Sequence, residues 1–254
     1  MTYDEKISAY KSLVEDVQRC DKLDKCNENS KVQLEPCKIC DEINLWSYWQ
    51  GGIRHLDADI LLVGQDWGRF NDSNYPELRN IISGNPLSDS TTKRYYELNQ
   101  SLFTTDSNLC ELFETIGIKN IAWERDSRVF FTNFVLCYRT KESSMSRGFN
   151  YKWADNCSEY FVRLVNIIEP KVIICLGKSV FRSVMKAADM PMLKKSYNQI
   201  IEDGAQKARI GDVICMVFPM AHCGTLGTMN RNRVSKETGL TLQKEDWKKI
   251  LEYI

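Results

Sequence analysis

The sequence predicts an α/β protein: a three-layer αβα sandwich around a central, mainly parallel four-stranded sheet. Two observations support this fold class. Four short segments are apolar on both faces, which is typical of strands buried between helices in parallel sheets, and segments with helical periodicity separate them. The chain of 254 residues, 43% hydrophobic and 27% charged, is long enough for one substantial domain of this kind.

The predicted elements alternate along the chain as this fold class requires. Apolar residues at helical spacing predict helices over residues 2–19, 95–116, 153–168, 179–187 and 243–254. Apolar runs predict strands over residues 60–63, 128–136, 171–176 and 212–219. We interpret residues 1–36 as an N-terminal helical and loop extension and residues 37–254 as the domain itself.

Charge and composition narrow the functional classes. Lys plus Arg and Asp plus Glu both number 34, so net charge does not favour a polyanionic partner, although a basic rim around a cleft would suffice for nucleic acid. The sequence has no signal-peptide pattern and no apolar run of membrane-spanning length, so we expect a cytoplasmic protein without a membrane partner. In that reducing compartment the ten cysteines are expected to be buried thiols or metal or cluster ligands rather than disulfides.

Three polar residues stand at or just after the carboxyl ends of predicted strands: Asp66, Asn133 and His222. Open α/β sheets bind ligands at this edge. Asp and other polar residues also satisfy local backbone groups in turns, and for Asp66 and His222 both interpretations stay open. Asn133 lies inside an otherwise apolar strand, where an amide needs hydrogen-bond partners, and its donor and acceptor suit the edge of a nucleobase.

The motifs around these residues resemble those of the uracil-DNA glycosylase superfamily. Residues 59–68 resemble its first motif, in the Gly-Gln-Asp form of the family-1 enzymes, and residues 131–137 resemble the uracil-reading strand of its iron–sulfur, family 4-like branch. Residues 172–177 are similar to its Val-Ile-Leu-Gly segment, and residues 218–222 lead into a second motif that usually reads His-Pro-Ser. The motifs occur in order over residues 37–235.

The resemblance implies a DNA glycosylase that hydrolyses the N-glycosidic bond of uracil, or of another deaminated base, in base excision repair. It implies that Asp66 is catalytic and positions a water, and that His222 is catalytic and donates a hydrogen bond to the departing base. The substrate-binding residues that it implies are Gly64, Gln65, Trp67, Phe70 and Asn133. Asn133 would pair with the uracil edge and leave cytosine mismatched.

The expected partner is DNA, single- or double-stranded, with the damaged base flipped into the pocket. The protein is expected to be a monomer. Lys178 and Ser179 follow the third strand at a predicted helix N-terminus, where phosphate groups bind readily. Arg231 and Arg233 follow His222. For all four residues an ordinary solvated surface is the alternative interpretation.

The cysteine pattern is similar to that of the iron–sulfur branch. The resemblance implies a [4Fe–4S] cluster held by Cys37, Cys40, Cys137 and Cys157, since such a cluster takes four thiolates. Spacing alone also permits a zinc site built from Cys20, Cys26, Cys37 and Cys40. In a third interpretation Cys137 and Cys157 are buried thiols without a ligand role.

The second motif departs from the family pattern, because the sequence reads His222-Cys223-Gly224 where His-Pro-Ser is usual. This departure keeps a second functional class open. In that class the protein binds nucleic acid without catalysis and retains the glycosylase fold and a metal cluster.

Overall fold

The computed structural model of the chain describes residues 1–30, 32–35, 51–66, 104–119, 121, 126–139, 148–231 and 239–254. The α-helices in these ranges are Tyr3–Gln18 (α1), Leu23–Asn27 (α2), Thr104–Thr115 (α3), Tyr151–Ile168 (α4), Lys178–Ala187 (α5), Tyr197–Asp203 (α6), Thr225–Arg231 (α7) and Gly239–Lys248 (α8). The strands are Leu34–Glu35 (β1), Ile60–Gly64 (β2), Val129–Asn133 (β3), Tyr138–Arg139 (β4), Val172–Leu176 (β5), Gln206–Ile210 (β6) and Val213–Met220 (β7). Short 3₁₀ helices cover Gly52–His55 and Lys249–Glu252.

The central sheet contains five described strands in the order β3-β2-β5-β7-β6. The first four are mutually parallel, and β6 runs antiparallel to β7. The predicted mixed α/β architecture and the four predicted strands are therefore confirmed. The predicted strand number is one too low, because the antiparallel strand β6 was not foreseen.

The fifth strand escaped prediction because it lacks an apolar run. Its sequence, Gln-Lys-Ala-Arg-Ile, buries only Ala208 and Ile210, while Lys207 and Arg209 face solvent. Such half-exposed alternation is typical of a strand at the border of a sheet. The strand joins β7 through Gly211, whose φ of 57° is readily adopted by glycine.

Alternate residues of the strands bury against helices on the two faces of the sheet. On one face, Leu61 and Val63 of β2 belong to a core shared with α1, α4 and α5. On the other face, Ile60 and Leu62 belong to a core shared with α3 and α8, in which the ring of Trp247 is fully buried. This arrangement gives the predicted three layers.

Most predicted helices agree with the structure at their core. The first begins at a capping box in which Thr2 and Glu5 exchange side-chain and backbone hydrogen bonds. Helix α4 ends where Glu169 adopts a left-handed conformation before Pro170. Helix α3 lies within the predicted helix 95–116, of which residues 95–103 fall outside the described ranges. The predicted final helix starts earlier, at Gly239, and finishes as a 3₁₀ turn.

The N-terminal residues pack against the sheet domain. Tyr10 and Leu13 of α1 are fully buried in the core that includes α4. The short strand β1 pairs with β4, with Leu34 opposite Arg139. The division into an extension (1–36) and a domain (37–254) stays a prediction.

At the amino edge of the sheet, where the parallel strands begin, a buried lysine connects several segments of the chain. Lys6 is 5% exposed, and its Nζ donates to the carbonyls of Leu56 (3.2 Å) and Ile168 (3.1 Å). The same Nζ is 2.9 Å from a carboxylate oxygen of Asp57 and 3.3 Å from one of Glu169. These contacts fix α1 to the segments that enter β2 and β5.

Within the described ranges, no helix has both the length and the apolar character needed to cross a membrane.

Candidate active site

The carboxyl edge of the sheet brings Gly64 and Asn133 together. They are opposite residues at the ends of the parallel strands β2 and β3. Asn133 is 5% exposed, and a Cβ atom added to Gly64 would lie 2.1 Å from its Oδ1. Only glycine at position 64 therefore leaves room for the Asn133 carboxamide in this place.

The hydrogen bonds of Asn133 within the described residues involve its backbone and not its carboxamide. Its carbonyl accepts a long bond (3.4 Å) from the Thr132 hydroxyl, and the next amide, that of Phe134, donates to Gly64 (2.9 Å). A buried carboxamide whose donor and acceptor are not used by the fold is costly unless a ligand completes them. The site therefore offers one donor and one acceptor to a flat polar ligand.

Asp66 follows β2 and is held by an arginine that the sequence did not single out. The Nε of Arg139 donates to Oδ1 (3.1 Å) and its Nη2 donates to Oδ2 (2.7 Å), a bidentate pair. The two side chains are only 3% (Arg139) and 9% (Asp66) exposed. The neighbouring Gln65 also donates from Nε2 to Oδ2, at 3.0 Å. The carboxylate is thus fixed in orientation.

Nothing in the local sequence marked Arg139, because it stands in a short polar segment after the apolar run of β3. Pairing of β4 with β1 places its backbone, and its guanidinium lies 5.6 Å from the centre of the Trp153 ring. A buried partner was to be expected for a carboxylate at a buried strand end. Which basic residue supplies it depends on tertiary contacts.

His222 lies just beyond β7, with its ring exposed at the mouth of the site. The backbone N–H of Gly224 donates to Nδ1 at 2.9 Å, so the neutral ring carries its proton on Nε2. Burial of part of the ring by surrounding protein lowers the pKa of His222, and the negative charge of Asp66 opposes that shift. His222 therefore presents an Nε2–H donor from a neutral imidazole.

The glycines around His222 explain how a His-Cys-Gly motif can form this turn. A Cβ on Gly224 would lie 3.0 Å from Nδ1 of His222, and one on Gly227 would lie 2.0 Å from the His222 carbonyl oxygen. Cys223 is fully buried, and its carbonyl accepts from Asn108 Nδ2 at 2.7 Å. The turn is therefore closely packed without the proline of the usual motif.

Comparison with known protein families identifies the superfamily of the chain. The family model of the uracil DNA glycosylase superfamily matches residues 52–251, a span that contains Gly64, Asp66, Asn133 and His222. The chain belongs to this superfamily. This confirms the predicted family.

One curated member of the superfamily is similar to the chain over 62% of its length. It is the type-4 uracil-DNA glycosylase of Archaeoglobus fulgidus, 23% identical over 158 residues, which are 62% of this chain and 63% of that relative. The chain thus spans less than two thirds of that relative's length. The similarity agrees with the predicted resemblance to the family 4-like branch.

In this superfamily member a cleft of about 390 Å³ opens beside His222. Ala221, His222, Tyr197 and Asn230 are among the residues that line it. Tyr197 is fixed by donating its hydroxyl hydrogen to the Met220 carbonyl (2.9 Å). Lys178, at the N-terminus of α5, also lines the cleft. The cleft therefore lies at the carboxyl edge of the sheet, where β5 and β7 end.

The predicted DNA-contacting residues occupy different environments. Lys178 is exposed and Ser179 is half-buried in the first turn of α5, whose N-cap Gly177 provides no side-chain cap. Arg231 is 5% exposed, and it makes a bidentate pair with Asp246 (2.8 and 3.1 Å) and contacts Glu202 (3.4 Å). The Arg231 guanidinium is thus occupied in joining α7 to α8.

Three of the described cysteines, Cys20, Cys26 and Cys157, lie near one another. Cys157 is buried, and it accepts a backbone hydrogen bond from Leu136, the residue before Cys137. Burial raises the pKa of the Cys157 thiol to about 12, and the nearby Cys26 and Cys20 raise it further. Among the described residues no group of three His, Cys, Asp or Glu side chains could hold a metal ion.

Five predicted site residues lie outside the described residues: Cys37, Cys40, Trp67, Phe70 and Arg233. Their assigned roles stay predictions.

Proposed function

We propose that this protein hydrolyses the N-glycosidic bond of uracil, or of another deaminated base, in DNA. The Asn133 carboxamide carries the proposal. It is buried at the carboxyl edge of the sheet beside Gly64, and no side chain among the described residues uses its hydrogen-bonding groups. Superfamily membership supports the same activity.

Base recognition is assigned to Asn133. We assign its Oδ1 to accept a hydrogen bond from N3–H of uracil and its amide group to donate one to O4. Cytosine presents an acceptor and a donor at these positions, so both hydrogen bonds would be lost. A site built to hydrogen-bond its substrate rejects such an analogue strongly, because the buried polar groups are left unpaired.

Departure of the base is assigned to His222. The C1′–N1 bond breaks and the base leaves with the bonding electron pair as an anion. The Nε2–H of the neutral imidazole donates a hydrogen bond to a carbonyl oxygen of that anion, where the negative charge develops. Gly224 fixes the tautomer needed for this contact.

Attack of water is assigned to Asp66. The carboxylate accepts a hydrogen bond from a water, whose oxygen bonds to C1′ while its proton is released to the base or to solvent. Its negative charge also offsets the positive charge of the oxocarbenium-like sugar. The negative charge of Asp66 acts on the pKa of His222, so the two side chains lie in the same region of the protein.

DNA is expected to lie over the rim formed by α5 and α7. The uncapped N-terminus of α5, with Lys178 and Ser179, suits a phosphate group. Leu226 (70% exposed) and Met229 (62% exposed) project from α7 beside His222. Exposed apolar side chains at such a place are suited to fill the stack after a nucleotide has flipped out.

A [4Fe–4S] cluster would be held by Cys37, Cys40, Cys137 and Cys157, and as a structural cross-link it would join the N-terminal segment to α4. Two of these cysteines are described, and Cys157 is deeply buried next to the residue that precedes Cys137. Metal ligation requires the thiolate, so a cluster at this position would have to displace the proton of the Cys157 thiol. Cys20 and Cys26 approach the same corner, so the zinc alternative uses the same region.

The decisive experiment is a base-excision assay on single-stranded oligonucleotides with one uracil, hypoxanthine or xanthine, in which alkali cleaves the abasic product. We expect cleavage by the purified chain with uracil and a strongly reduced rate of cleavage with Asp66→Asn. Arg128→Gln, which breaks the exposed Arg128–Asp126 pair at the opposite end of β3, is the matched control and should be fully active.

Failure to excise any of these bases, with DNA binding retained, would contradict the proposal and support the non-catalytic alternative. The metal is identified independently by analysis of anaerobically purified protein. Iron and acid-labile sulfide in equal amounts indicate the cluster, and stoichiometric zinc in a colourless protein indicates the alternative.

A further inference from the structure

We infer that Arg139 is a positioning residue that fixes the plane of the Asp66 carboxylate and leaves Oδ1 to hold the attacking water. The inference deepens the proposed function and rests on it. Arg139 itself touches neither base nor sugar in this scheme, and it acts through Asp66.

The contact geometry fixes the carboxylate rather than only neutralising it. Two nitrogen atoms of one planar guanidinium contact the two oxygen atoms of Asp66, at 3.1 Å and 2.7 Å. Such a bidentate pair restricts rotation of the carboxylate about its bond to the side chain. A lysine in this position would supply the same charge through a single donor atom and would not set the plane.

The remaining acceptor capacity identifies the oxygen that is left for water. A carboxylate oxygen accepts about two hydrogen bonds. Within the described residues, Oδ2 already accepts from Arg139 Nη2 and from Gln65 Nε2, whereas Oδ1 accepts from Arg139 Nε alone. A water bound to Asp66 is therefore directed to Oδ1.

Arg139 is itself held in place by groups remote from the site. Its backbone pairs with Leu34 of β1, and its guanidinium lies over the ring of Trp153. Trp153 is fully buried and donates from Nε1 to the Cys26 carbonyl at 2.8 Å. A series of contacts therefore runs from α2 through Trp153 and Arg139 to Asp66, and it preorganises the carboxylate.

The fold alone gives little reason to bury this pair. Buried ion pairs contribute little net stability, because desolvation offsets the attraction of the two charges. The comparable pair Arg231–Asp246 joins two helices, α7 and α8. The Arg139–Asp66 pair instead holds the turn that carries the proposed catalytic group.

The test compares Arg139→Gln and Arg139→Lys with wild type, using single-turnover excision of uracil, dissociation constants for uracil-containing DNA, and thermal unfolding. A misplaced catalytic group costs about 100-fold in rate. We expect a loss of about 100-fold in the rate constant for Arg139→Gln and about 10-fold for Arg139→Lys, with binding changed by less than about threefold.

A double-mutant cycle separates positioning from a general structural role. In an Asp66→Ala background, Arg139→Gln should cause no further loss of rate, because the group that it positions is gone. An equal loss in both backgrounds, or a wild-type rate in Arg139→Gln, would overturn the inference. If Arg139→Gln does not fold, Arg139→Lys in the two backgrounds gives the same comparison.

Two control variants calibrate the result. Arg128→Gln removes a bidentate pair that is exposed and remote, and it should leave both rate and unfolding temperature unchanged. An active wild type with a normal Arg139→Gln contradicts only the role of Arg139. A wild type that excises none of the three bases contradicts the proposed function, and the role of Arg139 with it.

Discussion

Buried polar side chains lie both at the amino edge of the central sheet, where the parallel strands begin, and at the carboxyl edge, where they end. Their hydrogen bonding differs between the two edges. At the amino edge, Lys6 directs its ammonium group at two carbonyls and two carboxylates. At the carboxyl edge, the carboxamide of Asn133 is buried to the same extent, and its hydrogen-bonding groups are not used by the described residues. The contacts of Lys6 therefore serve the fold, whereas the Asn133 carboxamide keeps hydrogen-bonding capacity that a ligand could use.

The two histidines of the chain show the same contrast. The Nδ1 of His55 is 2.8 Å from the Val129 carbonyl at the amino edge, so it carries the proton and donates. The Nδ1 of His222 instead accepts from the Gly224 amide at the carboxyl edge. His55 is 1% exposed, whereas His222 directs its protonated Nε2 outward from an exposed ring.

The largest expected effect comes from replacing Asn133. Asn133→Leu should lower kcat/KM for uracil excision by about 1,000-fold, because both hydrogen bonds to the base are lost. It should leave the free energy of unfolding unchanged or higher, because an unpaired buried amide is replaced by an apolar group of similar size. Excision kinetics and urea unfolding measure the two quantities. A large loss of stability would show that the fold uses this carboxamide.

The next effect tests the space for that carboxamide. Gly64→Ala places a methyl group 2.1 Å from Asn133 Oδ1 and should displace the amide, lowering the excision rate constant by about 100-fold. The cost in stability should be about 1–3 kcal/mol from overpacking. Gly148→Ala is the matched control, since nothing lies within 4 Å of the added methyl group. Normal excision by Gly64→Ala would contradict the proposed position of Asn133.

Replacing Lys6 at the amino edge tests whether a buried polar group there serves stability and not catalysis. Lys6→Met should lower the free energy of unfolding by about 2 kcal/mol, less than for a fully enclosed pair because its partners Asp57 and Glu169 are partly exposed. The excision rate constant per folded molecule should stay at the wild-type value. Urea unfolding and single-turnover kinetics check both points. A loss of catalysis without a loss of stability would contradict the proposal that Lys6 serves only the fold.

The smallest expected effect is a pH dependence set by His222. Because its folded-state pKa is lowered below the usual value of about 6.5, the unfolded chain binds more protons between these two pKa values. Its contribution to stability is therefore complete above the unfolded value and declines as pH falls below it. His222→Gln should remove this part of the acid sensitivity in unfolding measured from pH 7.5 to 5.

The excision rate constant should also depend on the protonation of His222. Protonation of His222 at Nδ1 breaks the hydrogen bond from Gly224, so the excision rate constant should stay level down to about pH 6.5 and decline only at lower pH. The measurement is single-turnover excision across that range, with DNA binding recorded at each pH. A decline that begins well above the usual histidine value would contradict the lowered pKa.

The sequence was sufficient for the four parallel strands and for three candidate site residues because these are local signals. The apolar runs of β2, β3, β5 and β7 identify buried parallel strands, and their carboxyl ends identify Asp66, Asn133 and His222. Parallel pairing then brings residues far apart in sequence to one edge, as the opposition of Gly64 and Asn133 demonstrates.

The remaining parts depend on contacts between distant segments. Arg139 reaches Asp66 through the pairing of two-residue strands, which have no periodicity to detect. Arg231 was predicted as a DNA contact from its charge and its position after His222, but Asp246 and Glu202 surround it with negative charge. Nothing in the local sequence marked either pairing.

The polar sequence of β6 also affects how this strand can pair with other molecules. Among the described strands it is the last on its side of the sheet, and a border strand offers backbone groups with which a strand of another molecule could pair. Lys207 and Arg209, both exposed, place positive charge along this border. Charged side chains on a border strand oppose such pairing. The charges that hid the strand therefore protect the protein against edge-to-edge aggregation.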